Sequence, residues 1–372
     1  MKGIRSLFFG MLILSLLLAS CATPAAQPAA EQPTAAGGGQ QAAGPKYHRI
    51  AYLGLDTTVK RYIATDVPSM EKVLLPAGYE LIFQSAEFDQ KAQINQAETV
   101  LIQGVDVIIL QPVDDKAAAV IVEQAAAEGV PVISYNDLVA NADIAAFVGR
   151  DPAVGGSLSA EAAVKVHPTG NYVLVGGDES STVARGFMEG YHQVLDPLVA
   201  EGKIKIVSEQ YHVGWDPKGA VAQTENALTQ NNNDVVAVLA NNDNLAFGAI
   251  EALNGAGLKD GPGADQVYVT GQDCIDGALQ AIAEGRFGGT IWGGFNDMGR
   301  LAAETAIELA EGKQVTSDTT INNGLKDVPW IQAPIYLVTA DNLAKFACDT
   351  YTFWVGMKTI YANVPDKIPT CK

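Results

Sequence analysis

The sequence predicts an α/β protein of two doubly wound lobes, and three observations carry that reading. Short, wholly apolar runs such as VDVIIL are what strands of a parallel sheet covered on both faces require. From Tyr47 onward such runs alternate with amphipathic stretches of helical spacing. The alternation comes in two successive series of similar size, which suits two like lobes better than a small repeat array.

The first series reads RIAYLGL, a helix to about Leu75, YELIFQS, a helix from Gln90, VDVIIL, a helix from Asp115, and VPVISY. The second reads as a helix over residues 153 to 166, NYVLVGG, a helix near Val183 to Leu195, KIKIVSEQ, a helix from Pro217, VVAVLA, a helix from Leu245, VYVTGQD, and a helix from Ile275. Ahead of them lie segments of a different kind. Lys2 and Arg5 precede an apolar run from Leu7 to Leu18, closed by Leu18-Ala19-Ser20-Cys21. This is the pattern of a secretory signal over residues 1 to 20. Its apolar run is about 12 residues, short of the roughly 20 that span a bilayer. Leu-Ala-Ser-Cys resembles the bacterial lipobox, in which the thiol accepts a diacylglyceryl group and becomes the new N-terminus. A chance cysteine behind an ordinary cleavage site is the competing reading. Residues 21 to 46 then comprise the lipidated Cys21 and a linker of Ala, Pro, Gln and Gly, too poor in apolar surface to offset ordering entropy. The expectation is an extracytoplasmic protein tethered to the cell membrane.

The formal charge is −18, and no basic stripe interrupts it, so nucleic-acid binding is disfavoured. Catalysis finds little support. His48, His167, His192 and His212 are scattered, no G-x-S-x-G or H-E-x-x-H pattern occurs, and GGDESS lacks the spacing and lysine of a phosphate loop. No cysteine spacing resembles a metal or haem motif, so neither cofactor nor metal is expected. Cys274 sits in a core pattern. In an oxidising exterior Cys348 and Cys371 could close a loop of about 22 residues, a bridge of roughly 3 kcal/mol; two free thiols are the alternative.

Open parallel sheets bind ligands beyond the carboxyl ends of their strands. The residues there are Asp56 to Tyr62 after the first strand, Asn136-Asp137, Asp178 to Arg185, Trp215, Asn242-Asp243, Asp273 and Trp292. This inventory suits a sugar. Asn, Asp and Arg satisfy hydroxyls that both donate and accept, while indole and phenol rings pack against C–H faces. Plainer roles compete: Asn242-Asp243 suits a helix cap, Trp215 and Trp292 could be core residues, and Arg185 could pair with Glu179 or Glu189.

With these residues assembled, the chain from about Arg49 to Phe346 resembles the periplasmic binding proteins of the ribose and xylose type that serve ABC importers. The segments NQAETVLIQGVDVIILQPVD, NADIAAFVGRD, GKIKIVSEQ, ENALTQNNNDVVAVLANND, GQD and DTTINNGLKDVP carry the resemblance. It implies two Rossmann-like lobes joined by a three-segment hinge, the type I architecture, and no enzymatic activity. The crossings are expected near Gly149, Trp292 and Asn323. Residues 47 to 149 plus 293 to 322 then form an N-terminal lobe, 150 to 292 plus 323 to 347 a C-terminal lobe, and 348 to 372 an extension. The sugar contacts it implies are Arg61, Tyr62, Asn136, Asp137, Arg185, Trp215, Asn242, Asp273 and Trp292-Gly293.

Three departures from the family pattern bear on specificity. Asn136-Asp137 stands where Asp-Arg is usual, Gly293 where a Lys or Gln is usual, and Thr182-Val183 where an Asn precedes the position of Arg185. Loss of two long side chains predicts added room and less positive charge near Gly293, hence an aldohexose such as glucose in preference to xylose. The expected partners are a monosaccharide, the membrane permease of an ABC importer and the membrane surface, with the protein itself a monomer. A sensor presenting its ligand to a membrane kinase or chemoreceptor is the alternative within binding proteins. A secreted carbohydrate-active enzyme is the rival class, for which Asp137 and Asp273 are the carboxylate pair to inspect.

Overall fold

The computed structural model describes residues 47–58, 60–348 and 356–371; the expected signal segment, Cys21 and the linker lie outside them. The chain enters β1 (Arg49–Gly54), makes a π-helical turn (Tyr62–Asp66) and continues through α1 (Val67–Leu74), β2 (Glu80–Ser85), α2 (Gln90–Gln103), β3 (Val107–Leu110), α3 (Ala119–Ala127), β4 (Val132–Tyr135) and β5 (Ala146–Gly149). A second winding follows: α4 (Pro152–Val166), β6 (Gly170–Gly176), α5 (Thr182–Ala200), β7 (Ile204–Tyr211), α6 (Pro217–Gln230), β8 (Ala237–Ala240), α7 (Asp243–Gly255), β9 (Tyr268–Gln272), α8 (Asp276–Glu284) and β10 (Gly289–Trp292). The last elements are α9 (Phe295–Ala310), β11 (Thr320–Asn322), β12 (Asp327–Gln332), β13 (Tyr336–Val338), α10 (Leu343–Cys348) and α11 (Met357–Ile360).

Every residue of β3 and of β8 is buried, because helices cover both faces of each sheet. Helix starts are set by side chains that accept from otherwise unpaired N–H groups. Asp89 caps α2 through Lys91 N at 2.8 Å, Ser181 caps α5 through Ala184 N at 3.2 Å, and Asn242 caps α7 through Leu245 N at 2.8 Å. The helix expected from Asp115 begins only at Ala119. Asp114 holds the preceding turn by accepting from Lys116 N at 2.9 Å and Ala117 N at 2.7 Å.

The strands form two sheets, in the orders β11-β12-β5-β4-β3-β1-β2 and β13-β10-β9-β8-β6-β7. In each lobe the first parallel strand after the entry lies inside the sheet with windings to either side, which leaves a switch point at the carboxyl ends. The chain passes between lobes at Arg150-Asp151, after β5, and at Gly293-Gly294, after β10. The third passage corrects the expectation at Asn323. Strand β12 runs parallel to β5, with Trp330 opposite Phe147 and Gln332 opposite Gly149, so it extends the first sheet. Asn323 belongs to the same lobe, donating to the carbonyls of Val139 at 3.2 Å and Ala142 at 2.7 Å. The crossing therefore falls at Ala333 to Ile335, before β13 pairs antiparallel with β10.

Residues after α10 fold back on the C-terminal lobe. Cys348 and Cys371 form a disulfide with Cα atoms 5.3 Å apart. Ile360 and Tyr361 are buried, Asn363 Nδ2 donates to Glu284 at 2.6 Å, and Lys367 Nζ to the Ala283 carbonyl at 2.8 Å. The extension is thus docked against the end of α8. No helix among the described residues is long and apolar enough to cross a membrane.

Candidate ligand-binding cleft

The carboxyl ends of both sheets face a cavity of about 250 Å³ between the lobes, near the small end of the roughly 300–1,000 Å³ of ligand pockets. The N-terminal lobe lines it with Asp56, Arg61, Tyr62, Phe88, Asn136 and Asp137, and the C-terminal lobe with Val183, Trp215, Asn242, Gln272 and Asp273. Phe88 follows β2 and Trp215 ends a short 3₁₀ turn after β7, so the N-terminal lobe contributes Phe88 beside Tyr62 and the C-terminal lobe contributes Trp215. Trp215 is seated over Gly177: a Cβ there would lie 2.4 Å from the indole, so glycine is what lets the ring approach.

A buried charge network forms one end of the cleft. Arg61, 2% exposed, donates to Asp273 at 3.1 Å, to Asp66 at 3.3 Å and to Asn136 Oδ1 at 2.9 Å. Its guanidinium carbon lies 3.8 Å from the centre of the Phe295 ring and 4.6 Å from that of Tyr62. Burial works against its charge, yet Asp66, Tyr62 and Asp273 hold its pKa well above the ordinary value. Burial pushes the Asp66 carboxyl up, with Arg61 and the Tyr135 hydroxyl opposing. Tyr62 is braced from behind, accepting from Gln111 Nε2 at 3.1 Å.

Asn136 adopts φ 64°, in the left-handed region that Asn tolerates, and this turns its amide into the cluster. It donates to Asp137 Oδ2 at 2.7 Å. The other oxygen of Asp137 crosses to the start of α5, accepting from the Ser181 hydroxyl and from Val183 N at 3.1 Å. Asp137 is thereby a contact between lobes as well as a lining residue. Thr182 and Val183, where the family's Asn is missing, receive it. Neither Asp137 nor Asp273 stands free as a pair of opposed acids: one accepts from helix-start donors and the other from Arg61.

Two expected site residues lie elsewhere. Trp292 is 1% exposed and packs edge-on against Phe295 at 4.8 Å and Phe346 at 5.5 Å, so it is a core residue behind the cleft. Strand β10 ends with that side chain pointing into the lobe, which the position after GGTI alone does not reveal. Arg185 also lies outside the cavity, one turn into α5, where it donates to Asp115 of the other lobe and to the Glu179 carbonyl. It joins the lobes instead of lining the pocket. Among the described residues no cluster of three or more His, Cys, Asp or Glu could hold a metal ion.

The room expected at Gly293 is filled. Arg150, 0% exposed, lies across that glycine, and a Cβ on Gly293 would sit 2.5 Å from its Cδ. One Nη of Arg150 donates to Asn136 Oδ1 and the other to Gln272 Oε1 at 2.8 Å. Burial first, and Arg61 second, push its pKa down to about 10, so it is charged at neutral pH. The positive charge expected to be missing is thus supplied from the first crossing. Arg150, Gln272 and Phe88 are functional-site residues that the sequence inventory does not include. Arg150 directly follows β5 and Phe88 lies three residues beyond β2, two strands whose ends the inventory leaves out, while Gln272 is the last residue of β9, one position before Asp273.

The chain matches the periplasmic binding protein domain over residues 50–314. It is 39% identical over 252 residues to the D-xylose-binding periplasmic protein of Escherichia coli (strain K12), covering 68% of this chain and 75% of that one. To a putative rhizopine-binding protein of Rhizobium meliloti it is 32% identical over 274 residues, 72% of this chain and 82% of the other. Among solved structures, a carbohydrate transporter solute binding protein from Chloroflexus aurantiacus in complex with D-glucose is similar with a TM-score of 0.75. Identity to it is 27%, over 82% of this chain and 96% of that one. The chain therefore belongs to the periplasmic binding protein family, and within it to the non-enzymatic sugar-binding proteins of the ribose and xylose type.

Proposed function

We propose that this protein is the receptor of an ABC sugar importer, lipid-anchored through Cys21, and that its lobes hold one monosaccharide for delivery to a membrane permease. The observation that carries the reading is the cavity itself. Phe88 and Trp215 supply an aromatic surface from each lobe, and Asn242, Gln272 and Asp273 supply directed polar groups beside them. A hydroxyl missing from a ligand would leave one of these groups unpaired, which is the basis of selectivity at such sites.

Xylose is the favoured ligand over glucose. A hexose would need space near Gly293, and Arg150 fills that space. The likeness to the E. coli D-xylose-binding protein supports the pentose, and the likeness to the D-glucose complex supports a hexose as the second reading. Calorimetric titration with D-xylose, D-glucose, D-ribose and myo-inositol tests both levels. Saturable binding with D-xylose tightest is the expected result. Tighter binding of D-glucose would reverse the choice of sugar, and no binding of any of the four would sink the sugar reading. The anchor is tested by palmitate labelling, which should mark the native chain and not Cys21→Ala.

A further inference from the structure

Arg150 sits where no sugar contact is assigned, yet both of its polar partners line the cavity. Asn136 comes from the N-terminal lobe and Gln272 from the C-terminal lobe, and one guanidinium spans the two with its separate Nη atoms. A guanidinium has donors only, so each amide must turn its oxygen toward Arg150. For Gln272, 3% exposed, this settles which end of the amide remains: its Nε2 has no hydrogen-bond partner among the described residues and is left for the cavity.

We infer that Arg150 is a positioning residue for ligand recognition: it fixes the Gln272 amide so that only the NH₂ group faces the cavity, and a ligand oxygen there must act as acceptor. The inference rests on the sugar-binding reading and makes it more specific. Gly293 is the condition for it, because any side chain at that position would displace the Arg150 stem. The adjacent Asp273 carboxylate accepts. Neighbouring residues of the GQD segment therefore offer a donor and an acceptor side by side, a pattern that two adjacent sugar hydroxyls can match.

The test compares the wild type with Arg150→Met, Arg150→Lys and Gln272→Glu by calorimetry. The probes are D-xylose, D-glucose and their monodeoxy and monodeoxyfluoro analogues. Fluorine keeps a weak acceptor and removes the donor, whereas the deoxy position has neither. At one ring position the wild type should lose about tenfold or more in affinity for the deoxy analogue and less for the fluoro analogue. Gln272→Glu keeps an oxygen for Arg150, and so keeps the fold, but presents an acceptor to the cavity; the order of the two analogues should reverse. Arg150→Met frees the amide to turn, and the two analogues should become equal. Lysine keeps the charge but cannot span both amides, so Arg150→Lys should behave like Arg150→Met. A Gln272→Glu protein that binds sugar with the wild-type order overturns the inference alone, and it decides the matter even where Arg150→Met does not fold. Failure of the wild type to bind either sugar overturns the reading of the site and this inference with it.

Discussion

Replacing Arg61 by methionine removes the cation on which the buried end of the cleft is built. Methionine fills much of the same space between Tyr62 and Phe295, so the main loss is electrostatic. Asp66, 0% exposed, would retain only the Tyr135 hydroxyl at 3.0 Å as a donor, and its other oxygen has no hydrogen-bond partner among the described residues. Removing one partner of a buried ion pair costs about 3–5 kcal/mol because the remaining charge is left uncompensated. Burial already pushes the Asp66 carboxyl up, so it can take a proton in response, which puts the expected loss near the lower figure, about 3 kcal/mol. Asp273 lines the cavity, where a solvent molecule can take the place of the lost donor, so its share of the loss is expected to be smaller. Pairing the change with Asp66→Asn removes the stranded charge, so the double variant should be more stable than Arg61→Met alone. Urea unfolding followed by tryptophan fluorescence, with m-values compared, reads both effects. A loss below about 1 kcal/mol in the single variant, or strict additivity in the double, would refute the electrostatic account.

Other consequences separate binding from stability. Trp215→Ala should lower sugar affinity at least about tenfold with little change in Tm, because the ring is half-buried at the cavity. Trp292→Ala should cost about 3–5 kcal/mol of stability while the folded protein keeps its affinity, since the ring contacts Phe295 and Phe346 and not the cavity. Thermal unfolding and calorimetry together distinguish these. Burial opposes a charge on His192, but the hydrogen bonds its ring donates to Asp196 and Glu209 outweigh it and raise its pKa. Its stabilisation is full below about pH 6.5 and fades as pH rises through the folded value, so His192→Gln should destabilise by up to about 1 kcal/mol near pH 5.5 and not near pH 9. Serine at both Cys348 and Cys371 should cost about 3 kcal/mol by releasing the segment docked on α8, with sugar affinity unchanged.

The two windings were legible because parallel strands buried on both faces are apolar throughout, as in VIIL of β3 and AVLA of β8. The third crossing was not. Strand β12, DVPWIQ, is partly exposed and carries a proline, so it does not stand out from a loop; its parallel partner β5 lies far away in the chain. Within the site, Asn242 and Asp273 were legible because they end clear apolar strands. Trp292 looked the same by that rule, and the difference lies in which face of β10 its side chain leaves, a matter of packing against Phe295 and α10. Arg150 was hidden by an exchange across the chain: a cation absent at position 137 or 293 is restored from a crossing segment, through a glycine that makes way for it. Taken singly, each position shows only a loss; in the fold the single Arg150 side chain answers both.

A crystal structure with D-xylose bound tests the central claim most directly. The account predicts one sugar in the cavity between the lobes, with Trp215 against a C–H face, Gln272 Nε2, Asp273 and Asn242 within hydrogen-bond reach, and no contact from Trp292 or Arg185. A sugar seated elsewhere, or one held in the cleft with the Gln272 oxygen turned toward it, would contradict the account.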